Sequence, residues 1–492
     1  MSRPRTVVIV GGGISGLATA FALQEKAGAR GLSLQCTVLE ADSSWGGKIV
    51  THRIGDLVTE AGPDSFLSQK QAGLELCAKL GLTDQLINTN ETGKKAFVLH
   101  GGRLHELPEG LVSFVPKQLG PFLRSGLLSW TGLMRMGMDV LIPRGPSDGD
   151  ESLASFFRRR FGTQAFERVL EPLMAGIYAG DAEQLSLKAT FPRFFELEQR
   201  HGSIIRGMTA EKKQAPPLSP NGPRRTMFVS LKNGLSDLVT ALRARLGQQG
   251  VECRLACRVE ALRVRSHQPG RWMYDLILED GSSCSAEALV LATPAYVSAD
   301  LLRPLTPIAG GLLEMIPYAS TATIAMAYPE QLVMGAFEGF GFIVPRIQGR
   351  DLIAATWTSL KWPHRAPAGQ VLIRCYVGGV GREAILQLND TELVAKVRAE
   401  LSALCGITAN PTYVEVNRWW KAMPQYTLGH LHRLAQLEAA LSRYPGLVLT
   451  GAGYRGVGIP DCIRDGALTA DHIVRHLSNE PDPLRVRERT DA

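Results

Sequence analysis

Near its start the chain leaves few folds open. Val7-Val8-Ile9-Val10 leads without a break into Gly11-Gly12-Gly13-Ile14-Ser15-Gly16, and a second apolar run ends at Glu40, 24 residues after Gly16. Four consecutive apolar residues make a strand buried on both faces, as in a parallel sheet. The glycines permit a tight turn, close approach of backbone N–H groups to a pyrophosphate, and close packing of the following helix. That helix starts near Ile14, is apolar at Leu17, Phe21 and Leu23, and aims the positive end of its dipole at the phosphate. Glu40 stands where a carboxylate accepts hydrogen bonds from a ribose hydroxyl. Strand, glycines, helix and acid together predict a dinucleotide site, against the plainer reading of an ordinary strand-to-helix turn.

What comes next restricts the dinucleotide. A nicotinamide-binding unit would run from its acid into another crossover helix. Here Glu40-Ala41 leads instead through Trp45 to the turn Gly46-Gly47-Lys48, then to the polar Thr51-His52-Arg53 and the rigid turn Gly62-Pro63-Asp64-Ser65. This order resembles the FAD-binding half of the superfamily that contains amine oxidases and protoporphyrinogen oxidases. There the double glycine backs onto the flavin and the later turn passes beside it.

Composition excludes several other classes. With 492 residues the chain is long enough for two or three domains with ample core. Its 45% hydrophobic and 21% charged content describes a globular protein. A net charge of +7, with no basic run longer than Arg158-Arg159-Arg160, gives no nucleic-acid surface but suits an acidic small molecule or an anionic membrane. The eight cysteines show no metal-ligand spacing, so no metal is expected and the thiols read as reduced and packed. Arg3, Arg5 and the uncharged run after them imitate a secretion signal. Cleavage there would destroy the glycine motif, and export is therefore not expected. No stretch suffices for a membrane span.

Along the chain, segments of different character interleave. Leu111 to Ile142 is sparsely charged and holds Trp130; it reads as a buried helix pair, a tunnel lining or a membrane-resting face. Glu151–Arg168 has a helical pattern with phenylalanines on one side and arginines on the other, solvated, side. Met208–Thr226, with four prolines, reads as a loop. Phe228–Leu235 leads into a helix, alternating strands begin at Arg258, and Ala288–Leu291 is a buried strand stopped by Pro294. Leu447–Thr450 is a further strand, followed by a helix from about Asp461 and a polar, disordered tail.

Several segments narrow the resemblance. Gly176-Ile177-Tyr178-Ala179-Gly180-Asp181, Gly339-Phe340-Gly341-Phe342, Pro424-Gln425-Tyr426-Thr427-Leu428-Gly429-His430 and Gly451-Ala452-Gly453 through Val457-Gly458-Ile459-Pro460-Asp461 occur in the order found in the protoporphyrinogen/coproporphyrinogen III oxidase family. The likeness runs from about Val7 to Ile473. It implies an α/β (α+β) fold: a Rossmann-like FAD domain (1–92, 225–292, 445–477), a mixed-sheet substrate domain (93–107, 190–224, 293–444), a helical membrane or lid-type domain (108–189) and a tail (478–492).

The resemblance also implies FAD contacts at Gly11, Gly12, Gly13, Ile14, Ser15, Gly16, Glu40, Ala41, Gly47, Lys48, Gly62, Pro63, Asp64, Ser65, Val259, Trp419, Val457, Gly458 and Ile459. It places Phe340 and Ile343 on one side of an apolar substrate slot, Gly176 and Tyr376 on the other. Read alone, Val259, Trp419 and each slot residue are ordinary core. Lys70 is the best cationic candidate for a substrate propionate or for proton handling, against the plain reading of a surface lysine. Lys94-Lys95, Ala96 and Thr356–His364 look more like the coproporphyrinogen branch than the protoporphyrinogen branch. Expected partners are a porphyrinogen and molecular oxygen, with a haem-pathway enzyme and peripheral membrane contact from the cytoplasmic side compatible. Flavin amine oxidase, carotenoid desaturase and a flavin-free carrier remain the rival readings.

Overall fold

The computed structural model describes residues 3–91, 95–108, 125–214, 225–268, 271–333, 335 and 338–480. At its centre lies a five-stranded sheet in the order Glu252–Arg254, Leu34–Leu39, Arg5–Val10, Ala288–Leu291, Leu447–Leu449, with every pair parallel. Both faces are covered, which is why these strands read as apolar runs. Val7 and Ile9 enter the core beneath helix Ile14–Ala29 and the C-terminal helix Ile459–Leu477. Val8 and Val10 enter the opposite core, under the antiparallel strands Val259–Gln268, Arg271–Leu278 and Ser283–Ala286. The sheet thus gathers strands from both ends and the middle of the chain, and their carboxyl ends lie together at one edge, where ligands bind in open α/β sheets.

A second, seven-stranded sheet runs Tyr413–Pro424, Tyr318–Pro329, Gln370–Gly378, Leu352–Trp357, Gly341–Ile343, Phe97–His100, Arg103–Glu106. Its alternation is plain in Gln370–Gly378. Ile373, Cys375 and Val377 pack into the core behind the sheet, against helix Asp390–Cys405, so Arg374 and Tyr376 project from the front. Register carries that front face across all seven strands through His105, Val98, Ile343, Ala354, Tyr376, Thr323 and Asn417.

Short helices between Trp130 and Gln214 form the third part, around a core rich in Phe156, Phe157, Phe161, Phe166 and Phe194. Three sequence expectations need correction here. The helix expected over Glu151–Arg168 ends at Phe161, because Gly162 adopts φ +85°; a separate helical segment resumes at Thr163. Arg160 is fully buried, not solvated: Nε lies 2.8 Å from a Glu198 carboxylate oxygen, while Nη1 and Nη2 donate to the carbonyls of Ile142 and Gly202 at 2.9 and 2.6 Å. A buried charge is tolerated because it is paired and hydrogen-bonded. Met208–Gln214 is the end of helix Ile204–Gln214 and not a loop. The proline-rich stretch at 215–224, the segment 109–124, Lys94 and the tail from 481 lie outside the described residues. Among the described residues no helix is long and apolar enough to cross a membrane.

Candidate active site

The first loop is held by the acid that follows the second strand. One oxygen of the buried Glu40 carboxylate accepts the Gly12 N–H at 2.6 Å, and the other accepts the Asp42 N–H at 2.9 Å. Gly16 has no room for a side chain, since a Cβ would overlap the Gly11 carbonyl. Helix Ile14–Ala29 follows, and no side chain caps its amino end. Its first N–H groups are therefore left to a ligand, and an anion suits them. Gly46 donates to the Gly12 carbonyl at 3.0 Å, folding Trp45 and Gly47 over the turn. At the far end the Glu40 carbonyl accepts the Cys257 N–H at 2.8 Å, which brings the strand beginning at Val259 beside the acid; Ala41 is exposed next to it.

Lys48 adds a cation. Burial pushes its amine below the usual lysine value, and it has no hydrogen bond or ion pair with a described residue. Its own carbonyl lies against Gly62, where a Cβ would overlap it.

The turn Ala61–Ser65 is fastened to the front of the seven-stranded sheet. The Ala61 carbonyl accepts from Trp419 Nε1 at 2.8 Å, Thr323 Oγ1 at 2.9 Å and Arg374 Nη2 at 3.0 Å, and Arg374 also donates to the Gly62 carbonyl. Beyond Pro63, the Asp64 carboxylate meets Lys361 Nζ at 3.0 Å and the Ser65 hydroxyl at 2.6 Å. Burial would raise that carboxyl, but Lys361 and Arg374 outweigh it and hold it well below the ordinary range. Arg374, Thr323 and Lys361 escaped the sequence reading. One signal was available for Arg374: it is a lone charge between Ile373 and Cys375 in an otherwise apolar strand.

The closing loop is clamped by Gln425, Tyr426 and His430. Tyr426 donates its hydroxyl to the Ala452 carbonyl at 2.6 Å and accepts the Gly456 N–H at 2.8 Å. Its ring stacks on His430 at 4.2 Å, and His430 Nε2 meets the Tyr454 carbonyl at 2.9 Å. Burial pushes His430 down to about 4, so the ring is neutral and Nε2 is the donor. Gln425 donates to the Tyr178 carbonyl at 2.9 Å, joining this clamp to the segment Gly176–Asp181. Val457 and Gly458 then enter helix Ile459–Leu477, again with no side-chain cap.

Lys70 lies here too. Its ammonium is 2.5 Å from a carboxylate oxygen of Asp461, buried in the first turn of that helix. The structure thus ties Lys70 to the first turn of helix Ile459–Leu477. Of the residues expected in the slot, Ile343 and Tyr376 share the sheet's front face two strands apart, and Phe340 sits in the turn leading into the strand of Ile343. Gly176 is exposed on helix Glu171–Tyr178, with open space where a side chain would be.

Two helices with uncapped amino ends and a glycine turn held by a buried acid, at the carboxyl edge of a parallel sheet, are the arrangement of a dinucleotide-dependent enzyme. The chain belongs to the family described as flavin containing amine oxidoreductase, whose family model matches residues 14–474. It is 38% identical over 472 residues to a coproporphyrinogen III oxidase of Bacillus subtilis, covering 96% of this chain and 98% of that one. A chloroplastic protoporphyrinogen oxidase of Oryza sativa is 34% identical, with coverage of 96% and 88%. Among solved structures, a protein of Exiguobacterium superposes with a TM-score of 0.82 at 33% identity, covering 96% and 99% of the two chains. A putrescine oxidase at 17% identity and TM-score 0.67 shares the fold alone.

The protein is accordingly an FAD-dependent oxidoreductase. The chain's own chemistry suits that cofactor: helix N–H groups with no side-chain cap would take phosphates, the buried Glu40 carboxylate would face a ribose, and the unpaired Lys48 amine, near Cys462 of the C-terminal helix, would add positive charge.

Proposed function

We propose that the protein oxidises coproporphyrinogen III to coproporphyrin III. The observation that carries this is the near end-to-end relation to the Bacillus subtilis enzyme at 38% identity. FAD, when bound, supplies a two-electron oxidation in each of three rounds, with oxygen as the final acceptor and peroxide as its product. Six electrons and six protons leave the porphyrinogen in all. The chain's own part is positioning. Ile343, Ala354 and Tyr376 offer a broad face for a flat macrocycle. The bonds from Arg374, Thr323 and Trp419 to the Ala61 carbonyl fix the distance between that face and the nucleotide loops. An apolar slot also excludes water from the reacting carbon.

The relation to the rice protoporphyrinogen oxidase makes protoporphyrinogen IX the second reading. Anaerobic mixing of the holoenzyme with each porphyrinogen decides between them. Faster bleaching of the flavin absorbance by coproporphyrinogen III is the expected result; bleaching by neither would refute both readings.

Contact with a membrane surface is part of the same proposal. Trp130, Met134, Met138 and Leu141 are 71, 64, 48 and 74% exposed and recur at helical spacing on one side of Trp130–Val140. Co-flotation with anionic vesicles, lost in Trp130→Ser/Met134→Ser, is the outcome expected of such a face on the cytoplasmic leaflet.

A further inference from the structure

Two arginines stand side by side where the slot's strands end, with neither guanidinium in an ion pair with a described residue. Arg346 opens the turn that follows strand Gly341–Ile343, and Arg382 follows strand Gln370–Gly378 by four residues. A Cβ on Gly381 would lie 3.0 Å from Arg346 Nη2, so the two turns are in contact. Both side chains are partly buried, and neither guanidinium has a hydrogen bond or ion pair with a described residue. In the same sheet and its turns, Arg350 is paired with Glu400, Arg374 with backbone carbonyls and Arg418 with Asp390.

The acids nearby are committed elsewhere. Asp351 pairs with Lys396 at 3.2 Å. Asp181 accepts the Glu183 N–H at 3.0 Å. Glu171 is buried and its carboxylate faces the Arg346 backbone N–H at 3.4 Å. Burial and the neighbouring Arg346 pull the Arg382 guanidinium below its usual value, and the attraction of Glu171 and Asp351 only partly offsets them. Two like charges held together in partial burial cost free energy that a bound anion would relieve.

Their place in the fold names the anion. The Val380 N–H donates to the Ala179 carbonyl at 2.9 Å, so the turn bearing Arg382 abuts the end of helix Glu171–Tyr178, which carries Gly176 and also packs on strand Gly341–Ile343. The guanidiniums therefore sit at the ends of the strands bearing Ile343 and Tyr376, beside the helix of Gly176. We propose that Arg346 and Arg382 form a carboxylate-binding site that receives a propionate of the tetrapyrrole at the outer end of the apolar face. The planar fork of each guanidinium matches a carboxylate and adds charge-assisted hydrogen bonds. The proposal rests on the porphyrinogen reading given above.

The test uses the holoenzyme and three variants, Arg346→Ala, Arg382→Ala and Arg382→Gln. Two probes are titrated by quenching of their fluorescence: coproporphyrin III and its tetramethyl ester, which keeps the ring and loses the charges. Each variant is expected to weaken the tetra-acid by about tenfold or more, to leave ester binding unchanged, and to raise KM for coproporphyrinogen III far more than it lowers kcat. Arg382→Gln preserves shape and guards against a folding artefact; the flavin absorbance reports the fold of all three. Unchanged tetra-acid binding in every variant overturns the proposal, as does an equal loss for acid and ester. Should the wild-type protein neither bind nor oxidise a porphyrinogen, the reading beneath the proposal falls with it. A wild type that turns over normally beside unaffected variants sinks this site alone.

Discussion

Replacing Tyr426 by Phe removes one oxygen atom and leaves the ring where it is, stacked at 4.2 Å on His430. That oxygen has two duties: it donates to the Ala452 carbonyl and accepts the N–H of Gly456. Gly456 has φ +137°, a conformation that only glycine adopts readily. A neutral hydrogen bond contributes about 1 kcal/mol net, and a donor left unsatisfied away from water costs about 1–3 kcal/mol. Tyr426→Phe should therefore cost about 2–4 kcal/mol. The cost falls on the loop that leads to Val457, Gly458 and the uncapped start of helix Ile459–Leu477. If that loop grips FAD, much of the loss appears as affinity, at tenfold per about 1.4 kcal/mol. FAD fluorescence on serial dilution of holoenzyme measures it directly. The matched control is Tyr178→Phe, whose hydroxyl makes a single long bond of 3.4 Å to the Thr190 carbonyl and should cost less than about 1 kcal/mol. Equal FAD retention by wild type and Tyr426→Phe would refute the clamp.

Other outcomes follow from the same contacts. His430 has a folded value near 4 against about 6.5 unfolded, so the unfolded chain binds more protons between those values; stability is complete above about 6.5 and declines as the pH falls toward 4, by at most about 3 kcal/mol. Urea midpoints at a series of pH values would show this decline, and His430→Gln should flatten it. Gly62→Ala forces a methyl into the Lys48 carbonyl, and the expected product is folded protein that no longer retains the yellow cofactor, read by its absorbance. Asp64→Asn leaves Lys361 and Arg374 without their buried counter-charge; a loss of about 3–5 kcal/mol in chemical denaturation is expected, and a loss below 1 kcal/mol would show that the pair is well solvated. Tyr376→Ala should weaken substrate binding while the protein still retains its flavin: Tyr376 projects from the front of the sheet where the macrocycle is proposed to lie, and Arg374, 5.0 Å over its ring, keeps its own bonds to the Ala61 and Gly62 carbonyls.

How much of this was legible depended on whether the signal was local. Val7–Val10, the glycines and Glu40 lie within one stretch, and their geometry follows from the spacing alone. Helix ends were less legible: Gly162 was visible as a residue, but whether it ends a helix or sits inside one is decided by packing around Phe161 and Phe166. Arg160 shows a sharper limit. Its two neighbours Arg158 and Arg159 carry the same charge, and only the tertiary arrangement of Asp139 and Glu198 buries the third. The site divides in the same way. Turns shaped for close backbone approach announce themselves by glycine. Arg346 and Arg382 are brought side by side from the turns after two different strands, and no spacing in the chain reports that.

The join between the two sheets bears on the role proposed for Arg346 and Arg382. A flexible linker between the nucleotide loops and the second sheet would let the distance between them vary. Here the Ala61 carbonyl receives three donors from three strands, 262, 313 and 358 residues away in sequence, and the next carbonyl receives Arg374 again. Such bonds are short and directional, so the front face is held in register with the nucleotide loops before substrate arrives. A rigid apolar face of this kind binds a flat ring without fixing how it is turned in its plane, because dispersion is indifferent to rotation. Orientation must come from charges at the rim. The unpaired guanidiniums of Arg346 and Arg382 stand at one end of that face, and a carboxylate drawn there would set which edge of the macrocycle faces the flavin.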